Sequence, residues 1–306
     1  MSKFNTTDRV LFWSAVALCL ALGVAFSVSS RVETVSAARR NTIEVYPGPN
    51  ALSNALSNAH AGDTLNIHAG TYPEAVTISK RVRLQAAGDG VVTVDGQCQT
   101  RFTITVQHNG VVIDGLRIVG ANVGYGDFPS EVNFTNILTG TLKNSVLLDT
   151  CDAEYGVNVF SSSHIRIIHN NAVGFSDAGI YIGGITSTPG GALAARRNFT
   201  HGNNRGIIVE DSSGATIRVG ANTIRNNDTS GIFLHNSDGI ILNGNTLSHK
   251  LTTDVTYGIE LDANSDNNQV AKNSSHGHTF DLANEGGSNN CFQDNSYTTS
   301  TGTVSC

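Results

Sequence analysis

Charge is scarce in this chain. Only 14% of its 306 residues are Asp, Glu, Lys or Arg, and the formal net charge is −6. A nucleic-acid surface concentrates Lys and Arg to meet phosphates, so no nucleic-acid partner is expected. Helix formers are also few, and Met1 is the only methionine. No CxxC or Cys/His spacing suggests zinc. The acidic turns at Asp228, Asp254 and Asp266 lack a repeated Asp-rich nonapeptide, so calcium is not expected and no cofactor is predicted. His276 and His278 lie near Asp281, but that spacing alone makes no metal site. Glycine, Asn, Ser and Thr are abundant in the polar stretches, as turns require. Apolar residues alternate in order between them, which excludes disorder and points to an all-β chain.

The N-terminus stands apart. Val10–Val28 is an uncharged run behind Lys3 and Arg9. It has the length of a membrane-spanning helix and exceeds a usual signal-peptide core. Residues 1–28 therefore read as a cytoplasmic start and a signal anchor, or as a signal peptide cut near Val35-Ser36-Ala37. Residues 29–40 read as a linker and 41–306 as the folded domain. Either reading exports the domain, tethered to the membrane or secreted. Cys98, Cys151, Cys291 and Cys306 agree with an oxidising compartment. Of their three connectivities, Cys98–Cys151 with Cys291–Cys306 is favoured, the second stapling the last strand to the terminus.

What is present is a loose repeat. It runs YGVNVF from Tyr155, AGIYIGG from Ala178, RGIIVED from Arg205, SGIFLHN from Ser230 and YGIELDA from Tyr257. Its glycines, Gly156, Gly179, Gly206, Gly231 and Gly258, are spaced 23, 27, 25 and 27 residues apart. That period with strand chemistry indicates a solenoid. A second strand in each coil ends near an asparagine: Asn171, Asn198, Asn222, Asn245, Asn273 and Asn295. Stacked at one corner, these read as a structural ladder. Upstream, Ala51–His60 reads as a short helix with Leu52, Ala55, Leu56 and Ala59 on one face. Strands are expected at Thr42–Tyr46, Thr64–His68, Ala75–Ser79, Arg81–Gln85, Val91–Asp95, Phe102–Val106 and Val111–Val119.

Gly62-Asp63-Thr64-Leu65, then Ala69-Gly70-Thr71-Tyr72-Pro73-Glu74 and Val76-Thr77-Ile78, resemble the opening of the pectin-lyase-like, right-handed parallel β-helix superfamily. The later Gly-Ile-x-Leu copies resemble its repeats, including those of NosD-like and carbohydrate-active members. The resemblance covers Asn41 to the C-terminus. It implies a right-handed parallel β-helix with a short capping helix. It leaves activity open among lyases, hydrolases, epimerases, esterases and non-enzymes.

Period-two alternation turns Ile180, Ile182, Ile207, Val209, Ile232, Leu234, Ile259 and Leu261 inward. Two outward columns result: Asn158, Tyr181, Ile208, Phe233, Glu260, Asp281, and Phe160, Gly183, Glu210, His235, Asp262, Ala283. Coils lie ~4.8 Å apart, so Glu210, His235 and Asp262 should stack on successive coils. These three and Glu260 are the candidate catalytic residues. Crowded carboxylates raise one another's pKa, and His235 between acids can act as base or orienter. Glu210 and Asp262, two coils apart, have the spacing of an inverting glycosidase pair. Tyr181 and Phe233 offer flat faces to sugar rings. Arg205 and Tyr257, at the rim with Tyr155 and His278, would meet a uronate carboxylate and move its C5 proton. Ala121–Asn133 and Ser187–Ala194 are candidate walls of a groove. Tyr125-Gly126-Asp127 faintly resembles an alginate-epimerase motif, but the following histidine is absent. Two functions follow: an exported protein that binds, and cleaves or epimerises, an acidic polysaccharide; or a non-catalytic scaffold for glycan or protein.

Overall fold

The computed structural model describes residues 40–186, 193–213, 217–250 and 254–306. The apolar segment Val10–Val28, its flanks and most of the expected wall Ser187–Ala194 lie outside them. Among the described residues no helix is long and apolar enough to cross a membrane.

The domain is a parallel β-solenoid of the right-handed type. Its coils build three sheets, which we call A with eleven strands, B with nine and C with ten. Each coil contributes in turn to A, B and C, and successive coils pair in parallel register. The inward residues of the repeat pair coil to coil: Ile180 with Ile207, then Ile232, then Ile259. These residues are fully buried. Each contributes about 1.5–3 kcal/mol of apolar burial, which makes the stacked aliphatic column the main stabilising element.

Asp63, Tyr72 and Glu74 of the opening motif have structural partners. Helix α1, Ala51–Asn58, buries Leu52 and Leu56 over the first coil and covers the raw strand edge there. Its N-terminus has no cap of its own. Glu74 supplies one, accepting from the backbone N–H of Leu52 at 2.8 Å and of Ser53 at 3.0 Å. The Tyr72 hydroxyl donates to the carbonyls of Val45 and His68. Asp63 accepts from the N–H groups of Asn41 and His60.

The repeat glycines are required by space. Their φ values are ordinary, but a Cβ on Gly206 would stand 2.5 Å from the Gly231 carbonyl and 2.7 Å from Ile224. The next coil's backbone fills the volume a side chain would need. At both ends of this column a buried acid replaces glycine. Glu131 stands one residue past Ser130, the register partner of Tyr155, and Asp281 one past Phe280, the partner of Tyr257.

The asparagine ladder is present with its register corrected. Asn170, not Asn171, begins it, and it continues through Asn198, Asn222, Asn245, Asn273 and Asn295. Each Oδ1 accepts the backbone N–H of the previous rung. Asn171 instead opens the next strand. A second, shorter ladder joins Asn203 to Asn227. The expected strand Val111–Val119 is two strands, Val111–Asp114 and Arg117–Ala121, because Gly115 turns the corner at φ +79°. The disulfides are Cys98–Cys151 and Cys291–Cys306.

Candidate functional site

The candidate residues lie on the outer face of sheet C. Parallel register places Glu210 beside His235, and Phe233 beside Glu260. In the last coil the two outward columns are shifted from expectation. Glu260 faces Ala283, not Asp281, and Tyr257 faces Phe280, not His278. Asp281 and His278 are buried at the corner, 3.3 Å apart. Burial lowers the His278 pKa to about 4 against the pull of Asp281, so the contact joins a neutral imidazole to a carboxylate.

His235 does stand between acids. Its Nδ1 is 2.6 Å from Asp262 and its Nε2 is 3.9 Å from Glu210. The imidazole thus occupies the space between Glu210 and Asp262 that a water and a sugar would need in an inverting pair. The second Glu210 oxygen accepts from the Tyr181 hydroxyl at 2.7 Å. Burial, then the Glu210 bond and charge, raise the Tyr181 phenol far above its ordinary value. Burial followed by Glu285 and Glu260 raises Tyr257 as well. Both tyrosines are therefore held protonated and serve as donors, not bases. Burial also raises Glu260, opposed by a hydrogen bond from Ser230 and reinforced by Glu285. Arg205 is already engaged. It donates to Asp177 at 2.7 Å and lies 5.2 Å from the Phe233 ring centre. Tyr155 donates to the other oxygen of Asp177.

One cavity on this face brings together residues that sequence reasoning did not assemble. It measures 460 Å3 and is lined by Arg101, Phe102, Phe128, Asn158, Phe160 and Tyr181, among others. Phe128 hangs from the Ala121–Asn133 segment, with a left-handed φ of 57° that a bulky residue rarely adopts. Its ring stacks on Tyr155, which in turn meets Tyr181 at 4.7 Å between centroids. Asn158 donates to Asn133, but its buried Oδ1 has no partner, and neither does Arg101 Nε. The outward columns already named Asn158, Phe160 and Tyr181. Arg101 and Phe128 carried no signal because they come from a neighbouring coil and a corner loop.

Among solved structures the chain is similar to the pectate lyase Pel9A, with TM-score 0.54 and 12% identity over 86% of this chain and 79% of that one. It is similar to the alginate lyase of Paenibacillus sp. str. FPU-7, with TM-score 0.54 and 15% identity over 87% of this chain and 99% of that one. It is also similar to PfbA, a surface adhesin of Streptococcus pneumoniae, with TM-score 0.53 and 12% identity over 82% and 88% of the two chains. These identities show a shared fold alone. No curated protein matches the chain. One family model matches residues 85–305 and is described as periplasmic copper-binding protein (NosD).

The described residues offer copper no free sulfur donor, because their cysteines are all in disulfides and they contain no methionine. No group of three or more His, Cys, Asp or Glu among them is arranged to hold a metal ion. His235 offers its nitrogens to two carboxylates, and His278 is buried against Asp281. With its coils matched from residue 85 to residue 305, the chain belongs to the NosD family.

Proposed function

We propose that the protein works outside the cytoplasm as a polysaccharide-binding solenoid, and that it holds glycan without cleaving it. The observation that carries this reading is the sheet C cavity. Aromatic rings give it flat apolar walls, Arg101 supplies a cation, and a buried amide oxygen lacks a donor. A sugar ring stacks on such walls, its hydroxyl meets Asn158 Oδ1, and a uronate carboxylate meets Arg101. Two similar structures, a pectate lyase and an alginate lyase, agree with an acidic polysaccharide as the ligand class. The two disulfides and the periplasmic description of the family support an extracytoplasmic place. Residues 1–28 would provide export, as anchor or signal peptide, and 41–306 the binding domain.

The catalytic assignments weaken on geometry. His235 fills the gap between Glu210 and Asp262, Arg205 is spent on Asp177, and Tyr181 and Tyr257 are poor bases. We assign Glu210, His235, Asp262 and Glu260 to the polar end of the groove, where they orient sugar hydroxyls.

The test titrates oligogalacturonate and oligoalginate into the full-length chain by calorimetry. Phe160→Ala and Arg101→Gln should each weaken binding about tenfold, the loss of one stacking contact or one charged hydrogen bond. Ultraviolet absorbance from a new C4–C5 double bond, or new reducing ends that vanish in His235→Ala, would overturn binding without cleavage. No binding to any glycan would overturn the whole reading.

A further inference from the structure

The geometry points to a second polyanion-binding face, on sheet A, built to take an extended acidic polysaccharide strand along the solenoid axis. It rests on the polysaccharide reading above, and extends it to a surface on which no function has been placed.

Over five consecutive coils the sheet A strands carry cations and no acid. Segments 164–173, 193–201, 217–227, 240–250 and 267–276 supply sheets A and B over five coils and contain no aspartate or glutamate. Arg225 and Lys250 lie on or just after sheet B strands; on or beside the sheet A strands stand Arg166, Arg196, Arg197, Arg218 and Lys272, all exposed. None of these five has an acidic group within 4.0 Å among the described residues, and none of their side chains donates a hydrogen bond there. The same sheet pairs its cations elsewhere. Two coils earlier Asp114 neutralises both Arg83 and Lys143. The unpaired arginines are therefore a local departure in a chain whose net charge is −6.

Register gives the face its spacing. Arg166 aligns with Ala194 and Ala194 with Arg218, so the two arginines stand in one column two coils apart, about 10 Å. Arg196 lies on the coil between them, in the adjacent outward column. Next in that column comes Gly220, then Asn243. A Cβ on Gly220 would stand 2.9 Å from the Asn243 carbonyl oxygen, and its absence leaves a recess of 270 Å3 beside Arg196, Arg218, Asn243 and Gln269. Two guanidinium forks can each donate to a carboxylate in bidentate fashion, and two amides meet hydroxyls. An extended polyuronate advances by roughly one coil spacing per sugar, so its carboxylates can meet cations on successive coils. A recessed linear track fits a polymer strand better than a flat lipid surface. On sheet C, Glu210, Glu260 and Asp262 meet hydroxyls but, with Asp177 and Glu285, disfavour further uronate carboxylates, which confines the cavity there to a short segment.

The test compares the full-length chain with R166Q/R196Q/R218Q and with F128A/F160A. Calorimetry with mid-length oligogalacturonate at low and moderate salt should show two classes of site. The triple variant should lose the salt-sensitive class, weakened about 100-fold, and keep the other. Retention of that class in F128A/F160A supports the assignment. If the triple variant binds as the parent does, the sheet A face is overturned; loss in F128A/F160A would then leave the cavity reading standing. If only the triple variant loses binding, the sheet A face stands and the cavity reading falls. If the chain ignores oligogalacturonate but pellets through these arginines with phosphatidylserine vesicles, the face reads lipid and the inference is overturned.

Discussion

Replacing Asn222 by alanine should be among the most damaging single changes at the solenoid's corner. The Asn222 side chain makes four hydrogen bonds. Its Oδ1 accepts from the Asn198 backbone N–H at 2.9 Å and from Asn198 Nδ2 at 3.1 Å. Its Nδ2 donates to the Ala195 carbonyl at 3.0 Å and to Asn245 Oδ1 at 2.9 Å. The residue is 1% exposed, so water replaces none of these. Each bond is worth about 1 kcal/mol net, and the stranded Asn198 N–H adds a desolvation penalty of about 1–3 kcal/mol. Allowing for relaxation, the loss should be about 3–5 kcal/mol. Asn295→Ala is the internal control. It removes equivalent bonds at the half-buried last rung, where water can substitute, and should cost about 1–2 kcal/mol. Urea unfolding followed by far-ultraviolet circular dichroism reads both variants. Tryptophan fluorescence does not serve, because Trp13 is the only tryptophan and precedes the described domain. If Asn222→Ala lies within about 1 kcal/mol of the parent, or matches Asn295→Ala, the ladder argument fails.

Glu131 is fully buried, and burial pushes its pKa to about 8 against hydrogen bonds from Thr103 and the Ala121 N–H. A raised folded-state pKa favours the fold while the group is protonated. That contribution is complete below about pH 4.5 and lost as pH rises through about 8. Stability of the parent should therefore fall across that window, and Glu131→Gln should flatten the fall; parallel curves would refute the assignment. The Cys98–Cys151 bridge spans 53 residues, and its removal in C98S/C151S should cost about 4 kcal/mol by loop entropy. Removing Cys291–Cys306, which spans 15, should cost about 3 kcal/mol. Equal melting points for the oxidised parent and both variants would refute this.

The sheets were legible because space and alternation leave few choices. Gly206 has no room for a Cβ, and Ile207 and Val209 must both face inward, so those residues announce a coil without an alignment. Corners were less legible because they vary in length. Asn170 and Asn171 are adjacent asparagines, and only the backbone path decides which joins the ladder. The last coil slips for the same reason: counting from Gly258 cannot reveal that Asp281 takes the glycine's place. Contact across coils was hardest to read. The His235 stack follows from register alone, but the cavity needs Phe128 to fold back from a corner loop, which no periodicity encodes.

The helix α1 that seals the first coil has a consequence for how the molecule grows. Each new coil hydrogen-bonds to the one before it, so every finished coil is a template for its successor. With one end sealed, the stack resembles a crystal with one face poisoned: addition proceeds only at the other face. The sealed end is the one synthesised first. As the chain emerges residue by residue, each turn finds a surface already set to receive it, about 25 residues behind. The coil that pairs onto Gln269–Ala271 is then pinned by the Cys291–Cys306 bridge.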